Sequence, residues 1–257
     1  MMTPETRRDA ILIQARNGAK LEVEALAVAL AASRETIRRD LAVLDKLGHL
    51  RRVHGGAVAA SQTLPPDEGP FSDRMRQAVA AKRAIARHVA AGLMPGDSVF
   101  IDTGSTTLFL AEELARRSGL IIITNSADIA AFCQRGDGHH VVLIGGEFRG
   151  PGRETLGAMA LAQIGQLRAA RAILTVAAVT ERGVFDIDPQ EAEIARAMAQ
   201  QVDQVTVLAD SSKMGRAGVF QVCPTAAVAH LVTDGLPDSL RAAITAAGTK
   251  IDVVHPE

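Results

Sequence analysis

The chain contains neither tryptophan nor tyrosine, and its only aromatic rings besides histidine belong to seven phenylalanines. Without such platforms, recognition of single-stranded RNA or DNA by base stacking is disfavoured. Cysteine is also scarce: Cys133 and Cys223 lie far apart and in no paired motif, which excludes a disulfide framework and a cysteine zinc site. We expect both thiols to be small buried side chains in a reducing compartment.

Long uncharged hydrophobic runs are missing as well. No segment reaches transmembrane length without a charge, and the first ten residues mix acidic and basic side chains without an apolar signal core. We therefore expect a cytoplasmic protein without a membrane partner. With 257 residues, of which 47% are hydrophobic, the chain can bury one medium core or two smaller ones.

The formal net charge of −1 conceals an asymmetry along the chain. Residues 1–60 contain ten Lys and Arg against seven Asp and Glu, a net charge of +3, whereas the remainder carries −4. A basic segment favours contact with phosphates, and the lack of aromatic platforms points to duplex DNA. Because three charges give weak affinity, we expect a homo-oligomer, a dimer or a tetramer, to bind the DNA.

The segment from Ser33 to Gly48 has the pattern of a DNA-reading helix. Ser33 is a favourable N-cap and Gly48 stands where a left-handed C-cap is wanted, so the sequence predicts a helix from Arg34 to Leu47. Apolar residues spaced at i, i+4 and i+7 form its buried stripe. That stripe consists of Ile37, Leu41 and Leu44.

Two further helices and a hairpin are predicted around this segment. Thr3 and Pro4 open a helix that extends to Gly18, and a second helix spans about Val23 to Leu30. Three short helices followed by a glycine-turned hairpin form a winged helix-turn-helix, whose third helix enters the major groove. The predicted strands of the hairpin are Leu50–Val53 and Ala57–Ala60.

Nine residues are candidate DNA contacts because they lie at the start of the third helix, on its exposed face or in the wing. They are Ser33, Arg34, Glu35, Thr36, Arg38, Arg39, Arg51, Arg52 and His54. The alternative is an ordinary solvated helix face, which is the usual role of a lone run of charges. The combination of a basic helix with a basic wing at this spacing argues against that alternative.

Two motifs in this region are specific in residue type and spacing. They are Thr36-Ile37-Arg38-Arg39-Asp40-Leu41 and Arg52-x-His54-Gly55-Gly56-Ala57. Together they closely resemble the N-terminal signature of the DeoR family of bacterial transcription regulators. The resemblance implies that the partner of this region is double-stranded operator DNA.

Residues 61–70 contain three prolines and no periodicity, as is typical of a linker. We predict a DNA-binding domain over 1–60 and a second domain over 71–257. Beyond the linker, short apolar runs alternate with amphipathic segments, the pattern of a layered α/β domain with a mostly parallel sheet. The predicted strands are Ser98–Ile101, Leu120–Thr124, Val141–Ile144, Ala172–Val176, Val205–Ala209 and Leu231–Val232. The predicted helices are Ala78–Ala91, Thr106–Arg117, Ala127–Gln134, Met159–Leu167, Pro189–Gln201 and Pro237–Ala247.

Small polar residues follow the first predicted strand of this domain, where ligands of parallel sheets bind. The run is Asp102-Thr103-Gly104-Ser105-Thr106-Thr107. A glycine and hydroxyl groups at a helix N-terminus can hold a phosphate with backbone N–H groups and the helix dipole. The alternative is a simple helix cap. The run is neither a Walker A loop nor a dinucleotide fingerprint, so nucleotide binding is not indicated and no cofactor is expected.

Other strand ends carry compatible chemistry. They supply Thr124-Asn125, Gly145-Gly146-Glu147 and Asp210-Ser211-Ser212-Lys213, in which Lys213 offers a positive charge. Each alone is explained as well by turn formation, but one shared pocket would explain all of them. We expect Arg149, Arg153 and Glu154, in the glycine-rich loop that follows, to be solvated. His139-His140 has no second group of ligands, so no metal site is expected.

The resemblance to the DeoR family continues through the second domain. It is carried by Lys82, Asp102-x-Gly104-Ser105-Thr106-Thr107, Thr124-Asn125, Gly145-Gly146, Gly157, Asp210-Ser211-Ser212-Lys213 and Thr233-Asp234. The resemblance implies a sensor domain that is similar to the ribose-5-phosphate isomerase fold and responds to a phosphorylated sugar or polyol. It also implies an effector site formed by Asp102, Gly104, Ser105, Thr106, Thr107, Asn125, Gly145, Gly146 and Lys213.

Two functions follow from these patterns. The first is a transcriptional repressor of a sugar or polyol operon, without catalytic residues, whose operator affinity an effector controls. The second is a sugar-phosphate isomerase that carries a DNA-binding appendage and uses a carboxylate to move a proton. The available carboxylates are Asp102, Glu147, Glu191, Glu193 and Asp210. We expect the regulator and not the enzyme, because the helix start and turns explain several of these carboxylates already.

Overall fold

The computed structural model describes residues 3–15, 21–46, 50–53, 56–59 and 69–256. The chain divides into two compact units, Met1–Pro66 and Asp67–Glu257. None of the helices formed by the described residues combines the length and hydrophobicity that crossing a membrane requires.

The first unit contains three helices and a small antiparallel sheet. Its elements are α1 (Pro4–Ala15), β1 (Leu21–Glu22), α2 (Val23–Ala29), α3 (Arg34–Lys46), β2 (Leu50–Val53) and β3 (Gly56–Ala59). The strand β3 pairs with β2 to form the wing and with β1 on its other side. The predicted winged helix-turn-helix is therefore confirmed. Four predicted boundary residues lie outside the described residues. They are the helix C-termini Gly18 and Leu47, the C-cap Gly48 and the strand end Ala60.

The predicted stripe of α3 forms the core of this unit. Ile37, Leu41 and Leu44 are at most 2% exposed, and they pack with apolar residues of α1, α2 and β2. Ser33 caps the helix as predicted, because its Oγ accepts a hydrogen bond from the backbone N–H of Thr36 at 3.1 Å.

The second unit begins with a short helix and then alternates strands with helices. Its elements are α4 (Phe71–Arg74), α5 (Val79–Ala91), β4 (Ser98–Ile101), α6 (Ser105–Leu114), β5 (Ile121–Thr124), α7 (Ala127–Cys133), β6 (His140–Leu143), β7 (Glu147–Arg149), β8 (Glu154–Leu156), α8 (Gly157–Ile164), β9 (Ala169–Thr175), β10 (Ala178–Thr180), β11 (Gly183–Asp186), α9 (Pro189–Gln200), β12 (Val202–Leu208), β13 (Phe220–Pro224), β14 (His230–Thr233), α10 (Asp238–Ala246) and β15 (Lys250–Val253). Single 3₁₀ turns occupy Ser211–Lys213 and Thr225–Ala227.

Seven strands form a parallel sheet in the order β15-β14-β12-β9-β4-β5-β6. Helices α5, α6 and α7 cover one face, and α8, α9 and α10 cover the other. Successive strand residues serve opposite faces, so Ile122 packs under the first group of helices and Ile123 under the second. The predicted α/β fold is confirmed, including all six predicted strands.

Sequence patterns did not identify the shorter strands. These are the antiparallel sheet β10-β11-β13, the hairpin β7-β8 and the edge strand β15. The four-residue strands of the parallel sheet that were predicted are nearly continuous apolar runs, whereas β7, β8 and β15 mix polar and apolar residues over too few positions to display a period. Strand β11 contains a bulge and begins at Gly183 with φ of +157°.

Both cysteines are free thiols buried in the two cores of this unit. Burial raises the pKa of Cys133 to about 12 and that of Cys223 to about 11. The expectation that they are small buried side chains is confirmed.

Candidate functional site

A small, partly open cleft lies at the carboxyl ends of β4, β9 and β12, three neighbouring strands at the centre of the sheet. Such strand ends are where open α/β sheets bind ligands. The residues that line it are Arg74, Thr103, Ser105, Thr106, Thr175, Val176, Asp186, Glu191, Leu208, Ala209, Asp210 and Lys213. Two cationic side chains and three carboxyl groups therefore share one small volume with several hydroxyl groups.

The N-terminus of α6 faces this cleft. Its N-cap residue is Gly104, so no side chain caps the first backbone N–H groups of the helix. Ser105 and Thr106 occupy the first turn and line the cleft, and their hydroxyl groups make no side-chain hydrogen bond with any described residue. The positive end of the helix dipole and two hydroxyl groups thus point toward the same space, an arrangement that suits an anion.

Two cations reach the cleft from different elements. Lys213 ends the 3₁₀ turn after β12, and this turn is held by the Asp210 carboxylate, which accepts the N–H of Ser212 at 3.0 Å. Arg74 ends α4, and the buried Lys82 fixes its backbone, because Lys82 Nζ donates to the Arg74 carbonyl at 2.5 Å. Lys82 therefore does not line the cleft, but its hydrogen bond holds the backbone of Arg74, which does.

The acidic side of the cleft is formed by Asp186, at the end of β11, and Glu191, in the first turn of α9. Burial and, to a smaller extent, the nearby charge of Glu154 together raise the pKa of Glu191 to about 7. Arg149 Nη1 lies 2.7 Å from Asp188 Oδ2 and 3.3 Å from Glu191 Oε1. The guanidinium group offsets part of the charge that these carboxylates bring together.

The expectation that Arg149, Arg153 and Glu154 are solvated holds for Arg153, which is exposed, but was wrong for Glu154 and Arg149. Glu154 is 1% exposed, and its Oε1 lies 3.9 Å from Arg149 Nη1. Arg149 is shared among three acidic side chains, and Arg153 Nε donates to Asp128 Oδ1 at 2.6 Å. The hairpin β7-β8 turns Arg149 and Glu154 inward, toward α9, and the sequence gives no sign of that turn.

Three of the nine predicted effector residues line the cleft, namely Ser105, Thr106 and Lys213. Of the other six, Asp102, Gly104, Thr107 and Asn125 support the loop before α6, whereas Gly145 and Gly146 lie away from the cleft against α8. The carboxylate of Asp102 accepts the backbone N–H of Thr175 with both oxygens, at 3.0 and 3.2 Å, and so joins β4 to β9. Burial raises the pKa of Asp102 well above its usual range, against the effect of this hydrogen bond.

The residues on either side of Asp102 complete this support. Thr107 Oγ1 donates to the Gly104 carbonyl at 3.1 Å, and a Cβ atom on Gly104 would collide with the side chain of Thr175. Asn125 accepts a hydrogen bond from Thr103 Oγ1 at 3.2 Å and donates to the Thr155 carbonyl at 3.2 Å. The loop between β4 and α6 is thus fixed by bonds to β9, to the end of β5 and, through Asn125, to β8.

Gly145 and Gly146 follow β6 and lie against α8. The N–H of Gly145 donates to Gln163 Oε1 at 3.0 Å. A Cβ atom on Gly146, where φ is +150°, would stand 2.6 Å from the Leu156 carbonyl oxygen. Both glycines therefore permit a close backbone approach, and neither lines the cleft.

The candidate DNA contacts of the first unit have a different environment. Arg34 lies 3.5 Å from Glu24, and Arg39 lies 3.4 Å from Glu35, in exposed ion pairs. Arg38 is exposed and forms no ion pair with any residue that the structure describes. Arg51 and Arg52 belong to β2. His54 lies outside the described residues.

Comparison with known families gives a match for each unit. Residues 7–63 match the DeoR-like helix-turn-helix domain, and residues 77–235 match the DeoR C-terminal sensor domain. The chain belongs to the DeoR family. These two domain types imply that a DeoR protein binds DNA and responds to a small-molecule effector.

Curated relatives of this DeoR-family chain are named as transcriptional repressors. A putative aga operon transcriptional repressor of Escherichia coli O157:H7 is 28% identical over 96% of this chain and 93% of its own length. The transcriptional repressor AccR of Agrobacterium fabrum is 35% identical over 80% and 83%. A glycerol-3-phosphate regulon repressor of Haemophilus influenzae is 31% identical over 93% and 92%.

Solved structures with a partial likeness include ribose-5-phosphate isomerase A of Methanocaldococcus jannaschii, with 16% identity and a TM-score of 0.37. It matches over 52% of this chain and 53% of its own. The Pyrococcus horikoshii translation initiation factor eIF-2B matches over 82% of this chain and 72% of its own, with 18% identity and a TM-score of 0.39.

Sequence reasoning about this DeoR-family chain missed three residues that line the cleft. Thr175 ends β9, so inspection of every strand end would have found it. Asp186 lies on a strand of the small antiparallel sheet, which was not predicted, and Arg74 lies on a four-residue helix without a sequence pattern. Glu191 was named only as a carboxylate available to an enzyme, whereas Asp210 also belonged to the strand-end run that was predicted to share the pocket.

Proposed function

We propose that this chain is a repressor of a sugar or polyol operon, and that a phosphorylated sugar or polyol in the cleft controls its affinity for operator DNA. One observation carries the effector class: the uncapped N-terminus of α6 opens into a cleft that Lys213 and Arg74 also line. A phosphate group needs such a combination of N–H donors and cations.

The two sides of the cleft suit the two ends of such a ligand. We assign the phosphate to Ser105, Thr106 and Lys213, with Arg74 nearby. The hydroxyl groups of the ligand would donate to Asp186, Glu191 and Asp210 on the other side. The remaining predicted residues, Asp102, Gly104, Thr107, Asn125, Gly145 and Gly146, hold the loops that position these groups.

The first unit provides the DNA-binding half of the proposal. We assign α3 to the major groove, with Arg38 as the principal base contact because Glu35 and Glu24 already neutralise Arg39 and Arg34 in part. Ser33, Glu35, Thr36 and the wing residues Arg51, Arg52 and His54 complete the proposed contact surface. Binding to operator DNA would place the protein in the cytoplasm.

The proposed organisation is a DNA-binding domain over 1–60, a linker over 61–70 and an effector domain over 71–257. A dimer or tetramer would match a two-fold operator and strengthen weak single contacts. We favour relief of repression by the effector. Coupling between two such sites is typically about 1–3 kcal/mol, or roughly 5- to 150-fold in operator affinity.

The first test is a thermal-shift screen of the full chain against phosphorylated sugars and polyols, with the unphosphorylated compounds as controls. A ligand at about 100 times its dissociation constant stabilises the fold by roughly 2.7 kcal/mol. We expect one phosphorylated compound to raise the unfolding midpoint and to change operator binding. A screen in which only unphosphorylated compounds raise the midpoint would refute the phosphate assignment.

Matched variants locate the site. Thr106→Val and Lys213→Ala should reduce the shift caused by the active compound while leaving operator affinity in its absence unchanged. Thr245→Val and Lys250→Ala remove the same groups from exposed positions outside the cleft and should respond as the parent does. Unaltered responses in Thr106→Val and Lys213→Ala would show that the phosphate binds elsewhere.

One observation favours the second function, an active sugar-phosphate isomerase. Glu191, whose pKa is raised to about 7, lines the cleft, and a general base is most effective when its pKa is near the working pH. Incubation of the chain with the compound that it binds separates the two functions. A regulator returns the compound unchanged, whereas an isomerase converts it and loses that turnover in Glu191→Gln.

A further inference from the structure

Three potential metal ligands meet outside the cleft, on the face of the sheet that α5 covers. His88 lies in the last turn of α5, His230 begins β14, and Asp252 lies on the edge strand β15. His88 Nε2 is 2.7 Å and His230 Nε2 is 2.9 Å from the same carboxylate oxygen, Asp252 Oδ2. These three atoms all lie within 4.8 Å of one another.

The register of the sheet explains why these side chains converge. Strands β14 and β15 are parallel, with His230 opposite Lys250 and Val232 opposite Asp252. His230 and Asp252 therefore lie two register positions apart and share one face, because side chains alternate along a strand. That face receives the last turn of α5, which brings His88 to within hydrogen-bond distance of Asp252 although 164 positions separate them in the sequence.

The hydrogen bonding of His230 is a second, independent observation that points to a ligand at this cluster. Its Nε2 atom is shielded from solvent, and the approach to Asp252 lacks hydrogen-bond geometry, so this atom has no hydrogen-bond partner among the described residues. A buried ring nitrogen without a partner is costly. A metal ion between the two rings and the carboxylate would use its lone pair.

The donor atoms fit a borderline divalent ion. Two imidazole nitrogens and one carboxylate oxygen are common ligands of Zn²⁺ at about 2.0–2.2 Å, which places tetrahedral ligand atoms about 3.3 Å apart. The distances of 2.7 and 2.9 Å from the two Nε2 atoms to Asp252 Oδ2 would thus have to increase by about half an ångström. His88 is 43% exposed in its side chain and can make that adjustment.

We propose that His88, His230 and Asp252 form a binding site for a divalent transition metal of the Zn²⁺ class. Each imidazole then holds its proton on Nδ1 and presents Nε2 to the ion, and water fills the open position. The ion connects α5 to the edge of the sheet. Its expected role is to fix β15, which has a partner strand on one side only, to the body of the unit.

Lys250 provides a way to separate this site from a plain cluster of ion pairs. Its Nζ atom lies 3.3 Å from the same oxygen, Asp252 Oδ2, and its side chain is 70% exposed. In a metal site this ammonium group repels the ion and can turn away into solvent. In an ion-pair cluster without metal it is simply one more partner of the carboxylate.

The test uses the purified full chain after treatment with a chelator. Zn²⁺ alone is titrated in by calorimetry, and thermal unfolding is followed with and without the ion. We expect one equivalent of Zn²⁺ per chain and a rise in the unfolding midpoint. Absence of saturable binding at micromolar concentrations of the ion would overturn the proposal.

Variants identify the ligands. His88→Ala and Asp252→Asn should each lower the affinity for Zn²⁺ by more than about tenfold. His140→Ala removes an exposed histidine outside the cluster and should bind as the parent does. Equal affinity in the parent, His88→Ala and Asp252→Asn would show that any bound ion lies elsewhere, which refutes the site.

The Lys250→Ala variant separates a metal site from a cluster of ion pairs that only stabilises the fold. Lys250→Ala should raise the affinity for Zn²⁺ by about two- to fivefold, because a competing positive charge is removed. A lower affinity in this variant would contradict the proposal. Substitution of Co²⁺ for Zn²⁺ in the parent should give the intense visible absorption of a tetrahedral site, and weak, octahedral-type absorption would contradict the proposed tetrahedral geometry.

Discussion

The exposed face of α3 and the cleft of the second unit hold their charges in opposite ways. On α3, Arg34, Arg38 and Arg39 stand in solvent, and the two ion pairs they form are long and exposed. In the cleft, Glu191 is largely buried and belongs to a connected set of charges that includes Arg149. The first surface offers charge to a partner that arrives from outside, and the second confines charge around a small space.

Because of this difference, substitutions at the two sites should affect the stability of the fold differently. Exposed ion pairs in water contribute at most about 1 kcal/mol, so the α3 arginines can change without cost to the fold. Buried charges depend on their neighbours, so a change at one of them affects the geometry of the others. We therefore expect variants on α3 to change DNA binding alone, and variants around the cleft to change stability as well.

The largest effect should come from a buried ion pair in the first unit, which contrasts with the exposed ion pairs of α3. Asp40 is 2% exposed and pairs with Arg7 at 2.5 Å and Arg8 at 3.0 Å, which joins α3 to α1. Removing one partner of a buried pair leaves the other charge uncompensated. Asp40→Ala should lower the stability of this unit by about 3 kcal/mol.

Hydrogen exchange of the full chain would localise that loss to α1 and α3. The control is Glu35→Ala, which removes an exposed carboxylate from the same helix and should leave exchange unchanged. Full protection of α1 in the Asp40→Ala variant would mean that this ion pair does not hold the two helices together.

A smaller loss is expected when the support of the cleft is disturbed. A methyl group on Gly104 would collide with Thr175, whose N–H is bonded to Asp102. Gly104→Ala should therefore destabilise the second unit by about 2 kcal/mol. Equilibrium unfolding in urea measures this effect.

Gly92→Ala is the matched control, because the nearest atom to a Cβ there is the Val89 oxygen at 3.6 Å, an ordinary contact. If both alanine variants unfold at the same urea concentration, the loop before α6 is not rigidly held against β9. The contrast between an open α3 surface and a fixed cleft would then lose its main support.

The arginines of α3 should contribute unequally to the affinity for operator DNA. Arg38→Ala should weaken operator binding by about 1.5 kcal/mol, roughly tenfold, if Arg38 contacts a base. Arg39→Ala should weaken it less, because Glu35 lies 3.4 Å from Arg39 and already offsets part of its charge. Operator titrations at fixed salt compare the two, and equal losses would remove the distinction.

The smallest effect is a change in pH dependence. The pKa of Glu191 is raised from its usual value of 4.5 to about 7, so the folded state binds its proton more tightly than the unfolded state does. This contribution to stability is complete below about pH 4.5 and is lost as pH rises through about 7. Glu191→Gln removes it.

The stability of the parent should consequently fall by about 1 kcal/mol more than that of Glu191→Gln between pH 5 and pH 8, since the partial exposure of Glu191 lets solvent screen its charge and reduces the full effect. Urea unfolding at several pH values measures the difference. Parallel pH profiles for the two proteins would show that Glu191 titrates as an ordinary surface carboxyl group.

The sequence determined the elements whose signals are local. The spacing of Ile37, Leu41 and Leu44 gave the buried stripe of α3, Ser33 gave its cap, and apolar runs gave six of the seven strands of the parallel sheet. These predictions succeeded because a helix stripe, an N-cap and a buried strand depend on residues close together in the chain. The loop of small residues before α6 was recognisable for the same reason.

Only the tertiary structure decided which of these residues share a cleft. It brought Arg74, Thr175 and Asp186 to the strand ends and gave Asp102 and Asn125 supporting positions. Such partners are distant in the sequence, and their meeting depends on strand order, register and short antiparallel strands that leave no periodic pattern. Local sequence patterns thus identified candidate residues. Packing across the sheet determined which residues surround each buried charge, and therefore its role.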